Sequence, residues 1–356
     1  MASDHLLVTG FPGFLGSRLV ASLVARSPGT RVVALVEPKM ADRAREAARR
    51  IDTERVEVLA GDITDARLGL SGEDYERLTG SVTAVFHLAA IYDLAVPFEV
   101  AQNVNVEGTA NVLDFCAGAA LLERLNYVST AFVAGRRHGV VYEHELSLGQ
   151  GFKNHYESTK FQAEHWVRHA MDRVPTTIYR PAIVVGDSST GETAKFDGPY
   201  YLLRMIARLR ARRVPLARIG SDAPFNVVPV DLVVNGIVAV SSDPEAIGET
   251  LHLVDPEPLS SRDLFDVLAE EYTGRRPKHA LPSAAADATL RFGPTRRALD
   301  GIPRESLVYL THEVKFDARR AGALLERHGI RAPLLREYLP ALVAFFREHE
   351  DDPDYT

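Results

Sequence analysis

The chain has 356 residues, 46% of them hydrophobic, which is enough to bury a sizeable core as one large domain or two smaller ones. Its net charge of −7 argues against a broad nucleic-acid surface. The lone cysteine, Cys116, lies in an apolar run and reads as a small buried hydrophobe in a reducing, cytoplasmic setting.

The first ten residues carry neither a basic segment nor a long apolar one, so no signal peptide is expected. Short apolar runs at 5–10, 31–37, 56–62, 84–90, 125–130 and 176–185 read as strands. Helical segments at 14–26, 41–51, 104–119 and 156–171 alternate with them. The strands lack strict alternation, as expected of strands covered on both faces. Together they predict an α/β fold with a doubly wound, Rossmann-type parallel sheet.

After Gly186 the pattern breaks into a polar loop, a basic helix "YYLLRMIARLRARR", and an apolar stretch at 225–240 that reads as a return to the sheet. A strand, a turn and a helix follow, with Ser260 or Ser261 as N-cap. The expected division is a dinucleotide-binding core, 1–185 plus about 226–256, and a mostly helical substrate lobe, about 186–225 and 257–356. The amphipathic segment 334–350 is expected to pack on its own domain, with the acidic end after it frayed. No apolar run reaches the roughly 18 residues of a membrane span.

"TGFPGFLG" places Gly10, Gly13 and Gly16 between a strand and a helix, the context of a dinucleotide-binding turn. Gly10 permits the tight turn, Gly13 lets backbone approach a pyrophosphate, and Gly16 lets helix and strand pack closely. Phe11, Phe14 and Leu15 fill the same turn and are expected against the cofactor. At the end of the second strand Glu37 can accept from both ribose hydroxyls, which leans slightly to NADH, while Lys39 and Arg43 could neutralise a 2′-phosphate. Asp62, followed by Ile63, is placed to meet the adenine, and Leu88, Ala89 and Ala90 give a small-residue strand end for the cofactor to lie against.

Tyr156 and Lys160 share a helix face. A phenol ordinarily keeps its proton to about pH 10, and a nearby ammonium would lower that value. Thr130, at the carboxyl end of the preceding strand, can bind a reacting carbonyl oxygen beside the Tyr156 hydroxyl. Ser129 is the rival, but it points to the opposite face. Asn105 either holds a water or backbone group linked to Lys160 or caps a helix. Arg204, Arg208 and Arg212 recur on one helix face, as a solvated stripe or a landing site for CoA phosphates or an acidic carrier protein.

The set TGxxGxxG at 9–16, "GDIT" at 61–64, "NVEGT" at 105–109, "YVSTAFVAG" at 127–135, YxxxK at 156–160 and "YRPAIVVG" at 179–186 resembles an extended short-chain dehydrogenase/reductase. "LVEPK", "RPAIVVGDSSTG" and "FNVVPVDLVV" narrow the resemblance to the fatty acyl-CoA reductase and carrier-protein thioester reductase branch. It implies Thr130, Tyr156 and Lys160 as the catalytic set with Asn105 in support, and Pro181 and Ile183 beside the cofactor. It also implies NAD(P)H as cofactor and an acyl-CoA or acyl carrier protein substrate, with no metal. Glu37 departs from that branch, which usually carries Arg there and uses NADPH. Rival readings on the same fold are a ketone or alcohol dehydrogenase, a sugar-nucleotide epimerase or dehydratase, and a non-catalytic NAD(P)-sensing regulator.

Overall fold

Seven short strands form one parallel sheet in this computed structural model, which describes residues 5–93, 96–280 and 304–355. They are β1 (His5–Thr9), β2 (Arg31–Val36), β3 (Val56–Ala60), β4 (Ala84–His87), β5 (Arg124–Val128), β6 (Thr176–Pro181) and β7 (Thr250–Leu253). The spatial order is β7-β6-β5-β4-β1-β2-β3, so the winding reverses between β1 and β4. That switch point opens a crevice beyond the carboxyl ends of the strands, the usual ligand site of such sheets.

Both faces of the sheet are covered, which explains why the strands read as continuous apolar runs. Leu6 and Val8 face one cluster, packed with Leu19 and Val20 of α1 (Phe14–Arg26). Leu7 faces the other, with Phe115 of α4 (Gly108–Gly118) and Ala163 and Val167 of α5 (His155–Ala170). Each large aliphatic buried in this way contributes about 1.5–3 kcal/mol. Between β2 and β4 run α2 (Ala41–Ile51) and α3 (Gly72–Thr79). Cys116 is buried in the second cluster, as its setting suggested.

The predicted 176–185 strand is interrupted. Pro181 has no N–H to continue the ladder, and Ile183–Val185 leaves the main sheet to pair in parallel with Val227–Pro229. The apolar stretch at 225–240 therefore returns to that two-stranded fragment, not to the main sheet, before α7 (Val230–Val240). The main sheet's edge is filled by β7. Ser260 is the N-cap of α8 (Ser261–Thr273), its hydroxyl accepting from the Asp263 N–H at 3.0 Å.

The acidic end is docked, contrary to the expected fraying. The Tyr355 carbonyl accepts from Phe196 N–H at 2.9 Å and from Arg204 at 3.0 Å, and the Tyr355 ring stacks on Phe196. This also corrects the reading of the basic helix α6 (Tyr200–Ala211), because Arg204 is buried and holds the C-terminal turn. Beyond α9 (Arg319–Arg327), the segment expected to pack inward does so as α10 (Leu335–His349), through Tyr338, Leu339, Leu342 and Phe346. Residues 281–303 of the expected lobe lie outside the described residues. Among the described residues no helix is long and apolar enough to cross a membrane.

Candidate active site

The glycine turn is shaped by close approach. Gly10 has φ +88°, and a Cβ there would sit 2.9 Å from the Ala89 nitrogen. A Cβ on Gly13 would come within 2.8 Å of the Gly10 carbonyl oxygen, and one on Gly16 would overlap that same oxygen. The turn is thus pressed against the end of β4, where the Thr9 hydroxyl accepts from Leu88 and Ala89 N–H, both at 3.2 Å. Helix α1 starts after Gly13 with no side-chain cap and no acidic residue in its first turn. Its free N–H groups and positive end suit a phosphate, so these residues fit a dinucleotide pyrophosphate. Phe14 and Leu15 open the helix and are half-buried, while Phe11 is buried under the turn.

At the end of β2, Glu37 precedes a single turn, Pro38–Met40, and pairs with Lys39 at 2.8 Å. Both side chains are exposed, so Lys39 offsets Glu37 without burying it. Asp62 Oδ1 accepts from the Thr64 N–H and hydroxyl, each at 2.8 Å. Ile63 packs on Gly108, and its carbonyl accepts from Asn111 at 2.8 Å. Asn111 was not anticipated; it lies one helical turn beyond Gly108 in a stretch that reads only as amphipathic.

Thr130 sits just past β5, buried, with its hydroxyl accepting from Phe132 N–H at 3.3 Å and beside the Tyr156 phenol, whose ionisation it favours. Helix α5 is started by Asn154, whose side chain accepts from Glu157 N–H at 2.9 Å. This places Tyr156 in the first turn, half-buried, with Lys160 one turn deeper and fully buried. Ser129 faces away, as predicted, and donates to Glu164 at 2.6 Å.

The charges differ from the simple expectation. Burial pushes the Tyr156 phenol up to about 12, against the Thr130 hydrogen bond, which lowers it. Lys160 does not lower it, because its ammonium is directed instead at the Tyr127 hydroxyl (3.0 Å) and the Val128 carbonyl (2.9 Å). Burial lowers Lys160 to about 7, with the Glu164 carboxylate acting against that. Asn105 neither caps a helix nor reaches Lys160 with its side chain. It lies inside a π-helical turn, Gln102–Glu107, bonded to the Ile91 backbone at 2.8 and 3.1 Å and to the Thr159 hydroxyl at 3.0 Å. Such widened turns often occur at functional sites.

Beneath this set lies an ion pair that sequence reasoning did not single out. Glu164 accepts from Arg180 at 2.6 and 3.0 Å and from Arg168 at 2.9 Å, and both Glu164 and Arg180 are fully buried. Past Thr130, Phe132, Ile183, Phe225, Tyr309 and Phe316 line a small, largely aromatic cavity with His312. Pro181 is buried at the end of β6.

Residues 8–237 match the NAD-binding family described as male sterility protein. The chain is 29% identical over 279 residues to the L-2-aminoadipate reductase large subunit of Penicillium chrysogenum, covering 71% of this chain and 19% of that one. It superposes with a TM-score of 0.82 and 26% identity on the terminal R domain from the myxalamid PKS-NRPS biosynthetic pathway, over 100% of this chain and 93% of that one. It shares its fold with UDP-glucuronic acid 4-epimerase from Bacillus cereus in complex with NAD, at a TM-score of 0.66 and 20% identity, over 99% and 100% of the two chains. The chain spans only 5% to 36% of the length of the first curated relatives it matches. From the glycine turn, the sheet order and the match over most of its strands, the chain belongs to the male sterility protein family of NAD-binding domains, with the fold of an extended short-chain dehydrogenase/reductase.

Proposed function

We propose that the chain reduces an acyl thioester, CoA-linked or carrier-bound, or the aldehyde derived from it. The observation that carries the reading is the Thr130 hydroxyl beside a protonated Tyr156, with buried Lys160 one turn on, at the carboxyl end of β5. The printed names of the reductase relatives support the substrate class. The segments 186–225, 257–280 and 304–355 would frame that side of the crevice as the substrate lobe.

NAD(P)H, held by the Gly10–Gly16 turn and the ends of β2 to β4, supplies the hydride. Thr130 and Tyr156 hold the carbonyl oxygen and stabilise the negative charge that grows on it. A phenol at about 12 stays protonated near neutrality, so Tyr156 can donate to an alkoxide, a much stronger base. With a thioester, the first hydride and proton give a hemithioacetal, which collapses to aldehyde and free thiol. A second hydride and proton give the alcohol. Lys160 holds the cofactor's ribose side and keeps positive charge beneath Tyr156. The test is a cofactor-oxidation screen over acyl-CoAs, aldehydes, ketones and nucleotide sugars with NADH and NADPH in parallel. Turnover is expected with thioesters or aldehydes; turnover confined to ketones or nucleotide sugars overturns the proposal.

Glu37 supports a slight preference for NADH, since a carboxylate at the end of β2 repels a 2′-phosphate. Glu37→Arg is expected to raise NADPH affinity relative to NADH by about tenfold, the size of one charge-assisted hydrogen bond. Titration of both cofactors by fluorescence measures the ratio. An unchanged ratio means that Glu37 points away from the ribose and that Lys39 or Arg43 decides the preference.

A further inference from the structure

Three strand residues, Thr9, His87 and Tyr127, are direct register partners across β1, β4 and β5. All three are buried. The Thr9 hydroxyl lies 2.7 Å from His87 Nδ1, and His87 Nε2 lies 3.0 Å from the Thr109 hydroxyl of α4. On the neighbouring strand the Tyr127 hydroxyl accepts from Lys160 Nζ at 3.0 Å.

Counting protons fixes the direction of every link. The Thr9 oxygen already accepts two N–H groups, so its own proton goes to His87 Nδ1. His87 then carries its proton on Nε2 and donates to Thr109. Thr109 donates to the Asn105 carbonyl at 2.7 Å. The Tyr127 oxygen offers a lone pair to Lys160. Burial holds His87 neutral, down at about 3, so it puts no second cation beside Lys160.

We infer that Tyr127 is a positioning residue: its ring and hydroxyl hold Lys160 at a fixed place and in its charged form. The inference rests on the reading of Lys160 as part of the reductase site. Lys160 has three donors, and Tyr127 and the Val128 carbonyl take two, leaving one for a ligand in the crevice. The groups facing Lys160 are the Tyr127 ring and hydroxyl and the Val128 carbonyl from β5, His87 from β4, and Glu164 from its own helix. Arg180 and Arg168 already engage Glu164, so Tyr127 is the neutral side chain that favours the ammonium, beside the Val128 carbonyl.

Tyr127→Phe keeps the ring beneath the ammonium and removes only the hydroxyl. The rate with saturating substrate and cofactor is measured against pH. Activity that needs the Lys160 charge falls as pH rises through its pKa, and losing an acceptor lowers that pKa. The alkaline limb is therefore expected to move down by about one pH unit, with cofactor affinity little changed. Tyr127→Met, which also lacks the hydroxyl, should move it in the same direction and carries the test alone if Tyr127→Phe does not fold. A limb at the wild-type position in a folded variant of either kind, folding being judged by cofactor binding, overturns the inference. Lys160→Met separates the two readings. If it keeps the wild-type rate and limb, the assignment of the site fails. If it removes them while Tyr127→Phe leaves the limb unmoved, only the role of Tyr127 fails.

Discussion

Tyr156→Phe is expected to lower turnover at least ~10²-fold while leaving the affinity for NAD(P)H nearly unchanged. The phenol is the group at the end of β5 that combines a proton held to about 12 with contact to the Thr130 hydroxyl. Removing the oxygen takes away both the proton donor and one of two donors to the growing oxyanion. The glycine turn, Asp62 and the end of β4 are untouched by the change, so cofactor binding should survive. Single-turnover oxidation of NAD(P)H with an aldehyde measures the chemical step, and fluorescence titration measures binding. A variant with near-normal turnover on its best substrate would sink the assignment. A variant that loses cofactor binding as well would show Tyr156 to be chiefly a binding group.

Glu164→Gln is expected to destabilise the fold by about 3–5 kcal/mol at neutral pH, because it leaves the buried Arg180 guanidinium, and Arg168 beside it, without their counter-charge. Burial pushes the Glu164 carboxyl up, but Arg180, Arg168 and the Ser129 hydroxyl outweigh it and hold the group at about 2, below its ordinary 4.5. The carboxylate therefore stabilises the folded state fully above pH ~4.5, and that contribution is lost as pH falls toward 2. Urea midpoints of the two proteins should lie far apart at neutral pH and converge in acid. Equal midpoints at neutral pH, or a gap that stays constant into acid, would contradict the role given to the pair. The lesion also sits one helical turn below Lys160, so activity should fall in the variant even at temperatures where it remains folded.

The sequence by itself determined the parallel sheet, the glycine turn and the Tyr156–Lys160 spacing, because each depends on local periodicity or on residues a few positions apart. Apolar runs without alternation announce strands covered on both faces, and Gly10, Gly13 and Gly16 announce a turn that no side chain could enter. The i, i+4 spacing puts a phenol and an ammonium on one helix face wherever the helix lies. The tertiary structure decided what these groups touch. Lys160 turned to Tyr127 and Val128, 33 and 32 positions away, because strand register, which the sequence does not encode locally, brings them beneath it. After Pro181 the chain left the main sheet to pair with Val227–Pro229, and Arg204, read as part of a basic stripe, was drawn inward by the carbonyl of Tyr355, 151 positions on. Glu164 and Arg180 show the same limit. Each is an ordinary charged residue in its own segment, and only the packing of α5 on β6 makes them a buried pair whose charges must be matched.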